Sequence, residues 1–236
     1  MNILFDTAGH TPALAYAIDR LQQAGVPFAA TPHASHLLLP VPAFSADGNL
    51  VGGTLDDLQR KLHENIIVIG GRLTHPALAP YTKIDLLENP DYVSGNAAIT
   101  AHCAIKEALS RMDITFAGCP VLIVGWGRIG KCLGRLLRGL DAHVTIAARK
   151  HSDRAIAQAL GYKALDIQTI DPDLYQVIFN TVPAPVLSQG TQALNIELAS
   201  TTGIAGDNVI IARGLPAKDA PRSSGKLIAD TVIQLL

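Results

Sequence analysis

The sequence predicts an α/β protein made of two doubly wound, parallel-sheet lobes with a cleft between them. Three observations predict it. Short all-apolar runs such as Ile66–Ile69 and Val121–Val124 read as parallel strands buried on both faces. Such runs alternate with segments of helical period along the chain. One of them, Val121–Val124, leads directly into the glycine turn Gly125-Trp126-Gly127-Arg128-Ile129-Gly130. At 236 residues the chain has room for two compact lobes. The expected division gives 1–93 to a small α/β lobe packed by a terminal helix over 222–236, and 94–221 to the second lobe.

In the first lobe, Asn2–Phe5 reads as a strand and Pro12–Ala24 as a helix, with Leu14, Ala17, Ile18 and Leu21 on one face and Thr11 as its cap. Between them lies Asp6-Thr7-Ala8-Gly9-His10, at the strand end where open α/β sheets bind ligands. Pro27–Ala30 and His36–Leu39 read as further strands, and the polar stretch Phe44–Gly53 as a candidate lid or substrate loop. Leu55–Leu62 is helical in pattern. Ile66–Ile69 ends in Gly70-Gly71-Arg72, which suits an anion site or a plain turn equally. Ile84–Leu87 completes the lobe as a strand.

Ser94–Met112 reads as a helix joining the lobes, with its first turn, Ser94–Thr100, looking into the cleft. His102 lies on this helix, where a surface or core-satisfied histidine is the plainer reading. The glycine turn follows. Its first glycine permits a sharp turn, its second a close approach of backbone to a pyrophosphate, and its third tight helix–strand packing. Ile129, Leu133, Leu136, Leu137 and Leu140 give the next helix its apolar side, and His143–Ala147 the next strand. That strand–turn–helix–strand context makes the second lobe Rossmann-like and implies a bound dinucleotide.

The end of the second strand selects the cofactor. An NAD site carries Asp or Glu about 20 residues past the first glycine to bind the ribose 2′-OH. Here the chain reads Ala147-Ala148-Arg149-Lys150, two cations where a carboxylate would repel a 2′-phosphate, so NADP is expected. Asp153–Leu160 continues as helix, Gly161 as its cap and Lys163–Leu165 as a short strand. Three later strands, Val177–Phe179, Ile196–Leu198 and Val209–Ala212, end in Asn180-Thr181-Val182-Pro183, Ala199-Ser200 and Arg213-Gly214-Leu215-Pro216. Small and polar residues at three consecutive strand ends converge on one crevice. Ser223–Leu236 is the last helix.

Composition excludes several classes. A formal charge of −1 leaves no electrostatic footprint for nucleic acid or anionic lipid, and no apolar run is long enough to span a membrane. Met1–Phe5 lacks the basic region of a signal peptide. Cys103, Cys119 and Cys132 form neither a disulfide framework nor a zinc pattern, so a reducing cytoplasm is the expected setting. No metal is expected, His33 and His36 being wrongly spaced for a helical pair.

The segments read above resemble the A subunit of dipicolinate synthase. The resemblance rests on IELASTTGIAGDNVIIARGLPAKDAPRSSGKLIADTVIQLL, with its L-A-S strand end, G-L-P loop, A-P step and terminal helix, and on GWGRIGKCLGRLL, Val144–Arg149 and FNTVPAPVL. It covers the chain well from about Leu86 onward and more loosely before it, through Leu38-Leu39-Pro40. It implies an NADP-linked oxidoreductase that converts a dihydrodipicolinate-type intermediate of the lysine pathway to dipicolinate for spores, forming an oligomer and working with a flavoprotein-like B subunit. Gly125, Trp126, Gly127, Arg128 and Ile129 would hold the pyrophosphate, with Arg149 and Lys150 at the 2′-phosphate. Asn180, Thr181, Val182 and Pro183, then Leu198, Ala199 and Ser200, then Gly214, Leu215 and Pro216 would frame the nicotinamide.

The chain departs from that family at Ser94-Gly95-Asn96-Ala97, where Asn96 replaces an acid, and at the first loop, Asp6-Thr7-Ala8-Gly9-His10. A dicarboxylate needs cations or helix N-termini to hold it, and Arg72, Ser94 and Thr100 are the candidate substrate residues. His102, His10 and Asn96 are the candidates for proton transfer. Two alternatives stand beside this reading: an NADP-binding partner or sensor protein without chemistry of its own, and a dehydrogenase of another small carboxylic acid.

Overall fold

The computed structural model describes residues 3–30, 33–188, 191–206 and 208–236. They form two compact units, Met1–Asn96 with Pro216–Leu236, and Ala97–Leu215.

In the first unit β1 (Phe5–Thr7), β2 (His36–Leu38), β3 (Ile67–Gly70) and β4 (Thr82–Asp85) form a parallel sheet in the order β1-β2-β3-β4. Phe28 adds a parallel bridge at the free edge of β1, where the Phe5 amide donates to Pro27 O and the Ala29 amide to Phe5 O, both at 2.9 Å. With that bridge the sheet extends in both directions from β1, which makes it doubly wound. The first strand sits later than its apolar pattern indicates because Asp6 is tolerated inside it. That carboxylate, 8% exposed, accepts from the Thr7 amide and from Lys61 Nζ, which also donates to Thr7 O.

The alternation of β2 divides the core. Leu38 packs on one face with Phe5, Leu14, Leu21, Ile69, Tyr92, Ile228 and Val232. Leu37 and Leu39 pack on the other with Leu50, Leu58, Ile66 and Val68. On the first of these faces α1 (Pro12–Gln23), capped by Thr11 Oγ1, lies against α7 (Pro221–Leu235). Gly225 permits the close approach, since a Cβ there would stand 2.5 Å from both Ala13 O and Tyr16 Cβ.

On the other face, α2 (Leu55–Lys61) is preceded by a segment that is packed down rather than free as a lid. Phe44 and Leu50 form an antiparallel bridge, Phe44 stacks on His75 at 4.5 Å, and the His10 amide donates to Val51 O. The Gly70-Gly71-Arg72 turn has its donors occupied too: Arg72 and Leu73 amides both donate to the Asp85 carboxylate.

The helix α3 (Pro90–Leu109) starts four residues before its expected first residue, Ser94. Asn89 Oδ1 accepts from the amides of Asp91 and Tyr92 at 2.9 Å and so caps the earlier turn. Ser94, Asn96 and Thr100 therefore lie within the helix, not at its open end, and the Ser94 hydroxyl donates back to Pro90 O.

The second unit holds β5 (Pro120–Val124), β6 (His143–Ala147), β7 (Lys163–Leu165), β8 (Val177–Asn180), β9 (Leu194–Glu197) and β10 (Val209–Ile211). All pairings are parallel and the order is β10-β9-β8-β5-β6-β7, a Rossmann sheet whose winding reverses between β5 and β8. The helices α4 (Arg128–Arg138) and α5 (His151–Ala159) follow β5 and β6, and α6 (Leu215–Asp219) follows β10. Cys103 and Cys119 are buried and Cys132 is half-buried, all as free thiols. Among the described residues no helix is long and apolar enough to cross a membrane.

Candidate dinucleotide site

At the reversal point the loops after β5 and β8 meet. Gly125 leaves β5 with φ +102°, a conformation that favours glycine, and its amide donates to Ala147 O at 2.8 Å. A Cβ on Gly125 would stand 2.4 Å from Thr181 Oγ1, and one on Gly130 would stand 2.2 Å from Gly125 O. The first and third glycines are thus required by packing within the protein. Gly127 differs, because a Cβ there would meet nothing within 4 Å. It is the N-cap of α4, and no side chain is bonded at that end. The first-turn amides are therefore available to an anionic group, reinforced by the positive end of the helix.

A cavity of about 400 Å³ opens here, lined by Gly125, Trp126, Gly127, Ala148, Arg149, Lys150, Asp153, Ile167 and the segment Thr181–Val186. Arg149 and Lys150 are exposed at the end of β6, as their position in the sequence indicates. Asp153, in the first turn of α5, puts one carboxylate in the same wall. Arg154 holds this corner in shape: its Nη1 donates to Ala148 O and Arg149 O at 2.8 Å and pairs with Asp166 at 2.7 Å. Sequence reasoning passed over Arg154, since nothing local marks it off from an ordinary helix cation.

The far wall is braced by a buried polar lock. Thr181 donates through its amide and its hydroxyl to Val124 O, both at 2.9 Å, which joins the β8 loop to the end of β5. Asn180 is fully buried; its Nδ2 donates to both Glu197 oxygens at 2.9 Å and its Oδ1 accepts from the Val182 amide. Glu197, also fully buried, accepts further bonds from the amides of Ala199 and Gly203. These neutral N–H groups together satisfy the carboxylate. Sequence reasoning missed Glu197 because it read the segment as an apolar strand; the signal was an acid in an otherwise apolar run, next to an L-A-S end.

Of the cofactor residues expected from sequence, Gly125, Trp126, Gly127, Arg149, Lys150, Thr181, Val182 and Pro183 line this one cavity. Arg128 and Ile129 follow in the first turn of α4, and Asn180 lies behind the wall. Leu198 and Ala199 are buried at the end of β9, with Ser200 exposed beyond them. Arg213 Nε donates to Ala199 O, fixing that turn. Gly214 has φ +67°, and Leu215 and Pro216 begin α6. None of these last six lines the cavity at the glycine turn. The candidate substrate and proton-transfer residues do not line it either. His10 and Arg72 are exposed in the first unit, and His102 is exposed on α3 in the second.

No protein-family model matches the sequence. The A subunit of dipicolinate synthase from Bacillus subtilis (strain 168) is 26% identical over 169 residues, a match covering 65% of this chain and 57% of that protein's length. The crystal structure of the A subunit of dipicolinate synthase from Bacillus halodurans superposes with a TM-score of 0.85 at 21% identity, covering 100% of this chain and 98% of that one.

The chain has the fold of the dipicolinate synthase A subunit.

The resemblance read from the L-A-S, G-L-P and glycine-turn motifs is borne out by both comparisons. The likeness extends more weakly to a transhydrogenase from Sinorhizobium meliloti, with a TM-score of 0.66 at 13% identity over 99% of this chain and 92% of that one.

Proposed function

We propose that the chain is an NADP-dependent oxidoreductase of the dipicolinate synthase A type, which oxidises a dihydrodipicolinate-type ring to dipicolinate. The observation that carries this reading is the cavity at the β5–β8 reversal, walled on one side by the glycine turn and on the other by Ala148-Arg149-Lys150. The residues present fit a dinucleotide: open space at Gly127 beside an uncapped helix start suits a pyrophosphate. Two exposed cations at the end of β6 suit a 2′-phosphate. When bound, the nicotinamide ring supplies a hydride acceptor at its C4.

The protein's own part is binding and orientation. The α4 amides and the Gly125–Ile129 turn hold the pyrophosphate, and Arg149 and Lys150 select the phosphorylated cofactor. Thr181–Pro183, braced by Asn180 and Glu197, and the Leu198–Ser200 and Gly214–Pro216 turns frame the nicotinamide. Arg72, Ser94 and Thr100 are proposed to hold the two carboxylates. His102, His10 and Asn96 are proposed for the proton that must leave when the ring becomes a pyridine. A homo-oligomer, a cytoplasmic setting and a flavoprotein-like B subunit complete the reading, supported by the resemblance to one half of a two-subunit synthase.

Thermal shift tests it. NADPH should raise the melting temperature more than NADH, and dipicolinate should add to the NADPH shift, because ligands that bind only the folded state stabilise it by mass action. A shift with neither nucleotide would overturn the assignment; a shift with NADPH untouched by dipicolinate would keep the cofactor and overturn the substrate.

A further inference from the structure

Among the described residues, Trp126, Asn195 and Ser224 each bear a buried nitrogen or oxygen that has no hydrogen-bond partner within the chain. Of these, Trp126 alone lies in the wall of the candidate dinucleotide cavity. It is 5% exposed. Its ring is held by Tyr162, edge-on at 5.3 Å, with the Arg138 guanidinium 4.6 Å over the far ring. The benzo edge points down α4: a Cβ on Gly134 would stand 3.2 Å from Cζ3 and 3.4 Å from Cη2. The pyrrole edge, which carries Nε1, therefore lies on the backbone side of the ring, toward the Gly125–Gly127 turn. A buried N–H left unpaired is unfavourable, and indole nitrogens inside proteins usually find an acceptor.

We propose that the Trp126 indole N–H is a ligand-binding donor, completed by an oxygen acceptor on the adenosine half of the dinucleotide, either the ribose or its 2′-phosphate. This rests on the assignment of the cavity to a nucleotide. The adenosine half is indicated because Trp126 shares its wall with Ala148-Arg149-Lys150, the end of β6, where that half binds in a Rossmann sheet. The rigid setting of the ring holds the donor in place before the nucleotide arrives, so little order has to be gained on binding.

Trp126 is the sole tryptophan of the chain, so a ¹H–¹⁵N spectrum of the whole chain contains one indole cross-peak. The probes are 2′,5′-ADP and 5′-AMP, with binding followed in parallel by calorimetry. At saturation the indole peak should move downfield and its exchange with solvent should slow. Movement with both probes assigns the acceptor to the ribose; movement with 2′,5′-ADP alone assigns it to the 2′-phosphate. Trp126→Phe keeps an aromatic ring and removes the donor, and should weaken binding roughly three- to tenfold, the range of one hydrogen bond. A calorimetrically saturated protein whose indole peak is unmoved overturns the donor role and leaves the nucleotide site standing. Absence of calorimetric binding by either probe or by NADPH overturns both.

Discussion

Asn180 and Glu197 share a fork: one amide nitrogen lies 2.9 Å from each oxygen of a carboxylate that is 0% exposed. The pair stands at the ends of neighbouring strands β8 and β9, so it fixes the turns that leave both. Asn180→Ala would leave a buried carboxylate short of a donor, and should cost about 1–3 kcal/mol in urea denaturation. Glu197→Gln should also destabilise, because its new amide hydrogens face the amides of Ala199 or Gly203. Unchanged stability in both variants would show that the lock is dispensable.

Arg149 tests cofactor choice. Arg149→Ala should raise the NADPH dissociation constant about tenfold, the low end of a charge-assisted bond because the side chain is exposed, and leave NADH binding unaltered. Calorimetry with both nucleotides reads the difference. Equal loss for both would move Arg149 away from the 2′-phosphate.

Gly130 tests the turn. A Cβ there would stand 2.2 Å from Gly125 O, a backbone atom that moves only if β5 and α4 part. Gly130→Ala should lower stability by about 1–3 kcal/mol, the usual cost of overpacking, and abolish the NADPH thermal shift. Gly127→Ala meets no neighbour within 4 Å, so it should fold normally and lose nucleotide affinity alone.

His36 makes the first unit sensitive to mild acid. Burial lowers its pKa below 6.5; the ring stacks on Phe5 at 4.8 Å, and Nδ1 lies 2.9 Å from Ser35 Oγ. The unfolded chain then binds the proton more readily than the folded one, so stability rises with pH between the lowered value and 6.5 and is lost as pH falls through that window. The urea midpoint should drop from pH 7.5 to pH 5, and His36→Gln should flatten the drop. An identical pH slope in the variant would remove His36 as its source.

Asp230 acts at lower pH. Burial alone would raise its carboxyl, but hydrogen bonds from Lys226 and Arg20 and their charges hold it below 3.8. That stability is present above 3.8 and lost as pH falls through the lowered value. With the two cations substantially exposed, Asp230→Asn should cost under about 1 kcal/mol at pH 7 in denaturant titration.

The sequence by itself determined the parts whose signals are local. Val121–Val124 had to be a buried strand, Gly125-x-Gly127-x-x-Gly130 a turn into a helix, and Ala147–Lys150 a strand end without an acid, because each depends on neighbours a few residues away. The tertiary structure decided what depends on distant partners. Asp6 could enter β1 only because Lys61, 55 residues on, meets it. Glu197 became a brace rather than a surface acid because Asn180 sits 17 residues earlier on the adjoining strand. The start of α3 moved back because Asn89 turns its side chain onto two amides, a rotamer choice that composition cannot record. Periodicity specifies which residues are buried; only the assembled fold specifies which buried polar groups find partners.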